Sequence, residues 1–114
     1  MSGGQQAVTT GLIVRLEAKV GKEEELASFP QDALPLDDGE PRTVVWLALR
    51  AGASSFAIVD AFPGEAGQQA HLDGPVTAAL LERASELLSE PPAIDRVDVL
   101  AAKVPAARQT EAGA

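Results

Sequence analysis

The chain contains a single histidine, His71, within the stretch DAFPGEAGQQAHLDGPVTAALL that runs from Asp60 to Leu81. An unperturbed imidazole titrates closer to neutrality than any other side chain, so His71 is the first candidate for moving a proton. Its setting allows a second reading. It stands where one helical pattern ends and LDGP begins another, and a helix-end histidine bonded to backbone or water is favoured there by the helix dipole. Other chemistries find less support. One histidine and no cysteine argue against a zinc site of the usual ligand type. DDGE, at Asp37 to Glu40, is too short and wrongly spaced for a calcium loop. No glycine-rich nucleotide cradle occurs, and Ser54 and Ser55 have no arranged base in the sequence.

The elements that would position His71 follow from periodicity. GLIVRLEAKV, residues 11–20, alternates strictly and predicts a strand. KEEELASF follows, with acids in the first turn and a helical stripe through Leu26, Phe29 and Ala33. Pro30 predicts that this helix kinks or stops there, with LPLDDGEP irregular behind it. Residues 42–50 and 54–62 read as two more strands joined by a short hairpin. A short helix is expected from residue 64 to about 71. A longer one restarts at DGPV, capped by Asp73 or Gly74 with Pro75 in its first turn. Residues 94–104 are the last strand. The order β-α-β-β-α-β is the ferredoxin-like arrangement, an α+β domain with a four-stranded antiparallel sheet and two helices on one face.

Sorting the strands by alternation predicts two faces. One is aliphatic: Leu12, Val14, Leu16, Val45, Leu47, Leu49, Ala57, Val59, Ala61, Val97, Val99 and Ala101. The other mixes Trp46, Phe56, Ile58 and Leu100 with Arg15, Glu17, Arg50, Asp60 and Asp98. The helices are expected on the aliphatic face, leaving the mixed one open. That much apolar surface calls for a partner, and a second copy of the chain is the simplest. Sheet against sheet gives a dimeric α/β barrel. Its enclosed charges are either interface salt bridges or the polar groups of a ligand cavity, and Trp46 is either packing or a platform for substrate.

The 114 residues fit one domain, expected over residues 10–104, between flexible tails at 1–9 and 105–114. The net charge of −8, with scattered basic residues, offers nothing to nucleic acid or an anionic membrane. The sequence carries neither a signal pattern at its start nor an apolar run near the ~20 residues of a membrane span, so a cytoplasmic protein is expected.

Four features together resemble the antibiotic biosynthesis monooxygenase family. They are the element order, VRLEAKVGKEEEL, the third strand FAIVDAF, and the broken helix AGQQAHLDGPVTAALL. The resemblance implies a homodimer whose sheets enclose a cavity for a small aromatic or hydrophobic ligand. Some members oxygenate quinols or polycyclic phenols with dioxygen and no metal, flavin or other cofactor. On this chain His71 would then be the proton acceptor and Asp60 the acid standing where the family often has glutamate. Trp46, Phe56 and Ile58 would wall the pocket, and Arg50 would hold a developing anion. The chain has no asparagine and no tyrosine, so the Asn–Trp–His set of the haem-degrading branch is missing. A dimeric barrel that binds a small hydrophobic ligand without turnover is the alternative.

Overall fold

A computed structural model describes residues 7–40 and 42–104. The expected tails fall outside these residues except at 7–9, where Thr9 already takes part in the sheet. Its N–H donates to the carbonyl of Phe62, and its own carbonyl accepts from Val99. The elements are β1 (Thr10–Glu17), α1 (Glu23–Asp38), β2 (Val45–Arg50), β3 (Ser55–Phe62), α2 (Glu65–Leu72), α3 (Pro75–Leu87) and β4 (Ala93–Asp98). The strands form one antiparallel sheet in the order β2-β3-β1-β4. This is the ferredoxin-like topology, with the second helix broken into α2 and α3.

Two local expectations change. α1 runs through Pro30 and Pro35 to Asp38 instead of ending at Pro30. Proline costs a backbone hydrogen bond, but Leu26, Phe29, Ala33 and Asp37 form one buried stripe, and burying it outweighs the local penalty. β4 stops at Asp98 rather than reaching Val104, because its partner β1 begins at Thr10, which faces Asp98 across the ladder. Leu100 beyond it is almost fully exposed.

The face assignment is corrected more deeply. Leu12, Val14 and Leu16 of β1 stand opposite Asp60, Ile58 and Phe56 of β3. These in turn stand opposite Trp46, Ala48 and Arg50 of β2. The helices therefore cover the face that holds Trp46, Phe56 and Ile58. There Leu26, Phe29, Val76, Leu80 and Leu87 join Val14, Leu16, Phe56 and Ile58 in one core. The uncovered face carries Ile13, Val45, Leu47, Leu49, Ala57, Val59 and Val97, with Leu47 52% and Leu49 48% exposed. One strand was out of phase. β1 is central and apolar at most positions of both parities, so hydrophobicity does not fix its phase, and a slip of one residue sends every side chain to the other face.

The break between α2 and α3 has its own chemistry. Gly74 is extended and Pro75 opens α3. The carbonyl of His71 accepts hydrogen bonds from Gly74 N–H and the Thr77 hydroxyl. The last turn of α2 is thus tied to the first of α3, and His71 is held there.

Candidate functional site

Alternation along β3 turns Asp60 toward the helices, where its side chain is 0% exposed. His71, in the last turn of α2, comes down on it, with imidazole Nε2 2.6 Å from Asp60 Oδ2. The other ring nitrogen, Nδ1, is 2.6 Å from Oε1 of Glu40, just beyond the Gly39 cap of α1. Asp37, last on the buried stripe of α1, places Oδ1 3.6 Å from Nδ1. The ring of Phe62 lies 5.5 Å from that of His71, centre to centre, and closes one side. Close packing below and beside the pair depends on glycine. A Cβ on Gly11 would stand 2.6 Å from the carbonyl oxygen of Asp60, and one on Gly67 would crowd Phe62 and Arg42.

One imidazole thus faces three buried or half-buried carboxyl groups. Among the described residues, no lysine or arginine pairs with any of them. Burial by itself would lower the pKa of His71, but contact with Asp60 and Glu40 carries it up to about 9. At neutral pH the ring then carries protons on both nitrogens and serves both carboxylates. Asp60 is raised by burial, against the pull of His71. Asp37 is raised to about 6, again by burial first, with His71 opposing and the neighbouring carboxylates adding to the rise. Both carboxyl oxygens of Asp60, Asp37 Oδ1, Glu40 Oε2 and Trp46 Nε1 are buried without hydrogen-bond partners among the described residues, so the approach of His71 Nε2 to Asp60 Oδ2 is an ion-pair contact outside hydrogen-bond geometry.

Among the described residues, two spaces adjoin these groups and a third lies apart from them. His71 and Glu40 line a cavity of about 220 Å³ with Arg42, Thr43 and Gly67. On its other side His71 joins Asp60, Ile58, Leu12 and Thr77 around a space of about 20 Å³, room for about one water molecule. A third cavity, of about 280 Å³, lies between α1 and the β2–β3 edge, lined by Leu26, Pro30, Ala48, Arg50, Phe56 and Ile58.

The expected site residues therefore divide into two groups. His71 and Asp60 are in contact. Phe56, Ile58 and Arg50 share the 280 Å³ cavity, with the Arg50 guanidinium 5.0 Å above the Phe56 ring. Arg50 is already engaged by Glu24 at 2.9 Å and by the carbonyls of Gly52 and Ala53. Trp46 stands across the ladder from Asp60 and packs against the core. Only Ile58 lines both its cavity and the space at Asp60. Asp37 and Glu40 enter the sequence reading only as the ends of DDGE, set aside as a calcium loop, and not as partners of His71. Extending the stripe of α1 by one more turn would have reached Asp37, whereas nothing in the local pattern marks Glu40.

No protein-family model and no curated protein matches the sequence. Solved structures do. A protein from Nitrosomonas europaea provisionally named an antibiotic biosynthesis monooxygenase is 16% identical, with a TM-score of 0.72 over 84% of this chain and 94% of that one. Another so named, from Caulobacter crescentus, is 15% identical, with a TM-score of 0.70 over 82% and 92%. The fold is that of the antibiotic biosynthesis monooxygenases. A much nearer relative is NE2512, a protein of unknown function from Nitrosomonas europaea. It is 50% identical, with a TM-score of 0.87 over 90% of this chain and all of that one. The chain belongs to the family of NE2512. No helix among the described residues is long and apolar enough to cross a membrane.

Proposed function

We propose that the chain is a small monooxygenase acting on a phenolic or quinol-like molecule, with Asp60 and His71 as its proton-handling pair. The observation that carries this reading is the burial of His71 against Asp60, away from water, on a sheet face that also walls an apolar cavity. An ionised phenol is electron-rich enough to reduce dioxygen itself, so neither flavin nor haem is needed for the redox step. One oxygen atom enters the product and the other leaves as water. The protein's share is a base, a dry site and orientation. With both ring nitrogens protonated, His71 is the cationic partner, and Asp60, through its unpaired Oδ1, is the better proton acceptor. The ligand takes the cavity of Phe56, Ile58 and Arg50, and a rotamer change at Ile58 opens it toward Asp60.

A second reading, binding without turnover, draws support from the separation of that cavity from the pair and from the prior engagement of Arg50 by Glu24. Oxygen uptake over a panel of quinols and anthrones separates the two. The oxygenase reading expects consumption that Asp60→Asn lowers by about 10²–10⁴. Ligand binding with no oxygen consumed leaves only the second reading.

The same proposal takes the chain as a cytoplasmic homodimer closed through Ile13, Leu47, Leu49 and Val59. It is supported by the aliphatic character of that uncovered face.

A further inference from the structure

We propose that Asp37, Glu40 and His71 form a binding site for one divalent transition-metal cation, which takes the place of the Nδ1 proton of His71 and so shares that residue with the oxygenase reading. Three observations carry it. First, one possible ligand atom from each of the three residues lies within 4.8 Å of the other two. In a tetrahedral site with bonds of about 2.0–2.2 Å, neighbouring ligand atoms stand about 3.3 Å apart. Asp37 Oδ1 is already 3.6 Å from His71 Nδ1, and Glu40 Oε1, at 2.6 Å, has to retreat by less than 1 Å. Glu40 lies past the end of α1 and lines the cavity, which offers space for that shift.

Second, the site is short of positive charge. Asp37 Oδ1 belongs to a side chain only 8% exposed, has no hydrogen-bond partner among the described residues, and points at the imidazole. A single imidazole is the only cationic group in contact with Asp37, Glu40 and Asp60 among the described residues. A buried carboxylate so placed takes up either a proton or a metal.

Third, the surroundings follow the pattern of a metal site. A metal-bound histidine almost always gives its other ring N–H to a carboxylate, which fixes the tautomer. Asp60 Oδ2 stands 2.6 Å from Nε2 in ion-pair contact, within reach of that role. Three protein ligands leave a fourth position, and here the 220 Å³ cavity lies against Glu40 and His71 to supply it. One imidazole nitrogen with two carboxylates suits zinc, manganese or cobalt better than the all-oxygen preference of magnesium or calcium. The count of one histidine and no cysteine hides such a site, because its other ligands are carboxylates brought in by the end of α1.

The test uses the full chain, stripped with EDTA and titrated with Zn²⁺ by calorimetry and with Co²⁺ by visible absorption. One cation per chain is expected, with a Co²⁺ spectrum of low coordination number that Zn²⁺ displaces. Glu40→Gln removes a carboxylate ligand while keeping the shape of the side chain. It should weaken binding more than about 100-fold, beyond the 10–100-fold expected of Asp60→Asn as an outer-shell change. No binding overturns the proposal, and so does binding that Glu40→Gln leaves unchanged, which marks adventitious surface carboxylates. Oxygen uptake is read separately, so a cation-binding protein without it defeats the oxygenase reading alone.

Discussion

Replacing His71 with leucine keeps a side chain of similar bulk beside Phe62 but removes the cation that faces Asp60. The Asp60 side chain is 0% exposed and its Oδ1 is already without a partner, so the variant leaves a carboxylate with no compensation on either oxygen. Breaking a buried pair from one side costs about 3–5 kcal/mol. A histidine that merely ended a helix at the surface would cost about 0.5 kcal/mol. The two values are far enough apart for urea unfolding, in EDTA at pH 7, to decide between them. The informative partner is the double variant His71→Leu, Asp60→Leu. Exchanging both members of a buried pair for apolar groups is often neutral or stabilising, so the double variant should recover most of the loss, with a coupling of about 2–3 kcal/mol. Glu40, whose side chain is 15% exposed, loses the same cation in both variants, so its share of the cost cancels in the coupling. A single variant that loses less than about 1 kcal/mol, or a double variant as unstable as the sum of its parts, would refute the pairing.

In the metal-free protein, the ring protons of His71 followed by NMR should titrate near pH 9 rather than near the ordinary value of about 6.5. Because the folded value is raised, that stabilisation is complete below about pH 6.5 and is lost as pH rises through about 9; a midpoint at 6.5 would contradict the contacts. Leu47→Asp should turn a dimer into a folded monomer in sedimentation, whereas Ile58→Asp should unfold the domain by several kcal/mol; the opposite outcome restores the other face as the interface. Pro30→Ala should stabilise α1 by about 1–3 kcal/mol, measured by thermal unfolding, if the helix runs straight through that position. Gly11→Ala should cost about 1–3 kcal/mol, because its Cβ meets backbone rather than a movable side chain.

How far the sequence could be read depends on which contacts were local. The order of elements followed from alternation in VRLEAKV, VVWLALR and FAIVDAF, and the helix break followed from DGP, all short-range signals. The phase of β1 did not, because Leu12, Ile13, Val14 and Leu16 are apolar on both sides and only pairing with β3 assigns Ile58 to Val14. Asp60 and His71 were visible as candidates, although nothing in their spacing says that the ring reaches the carboxylate. Asp37 was hidden by Pro30 and Pro35, which suggest an ended helix where burial of Phe29 and Ala33 in fact sustains it. Glu40 depends on where that helix finally stops, a matter of tertiary packing.

The polar cluster draws on three stretches of chain, around residues 37–40, at 60 and at 71, and each belongs to a different element. No pair of neighbouring elements can assemble it. β3 and β2 make a hairpin that leaves Asp60 in water, and α2 has nothing to offer His71 until it has crossed the sheet. Before α1 and α2 have both docked, each of these groups is solvated and pays nothing for its charge. Their desolvation therefore belongs to the end of folding, after the hydrophobic contacts have formed. Substitutions that relieve it should slow unfolding while leaving the folding rate almost unchanged.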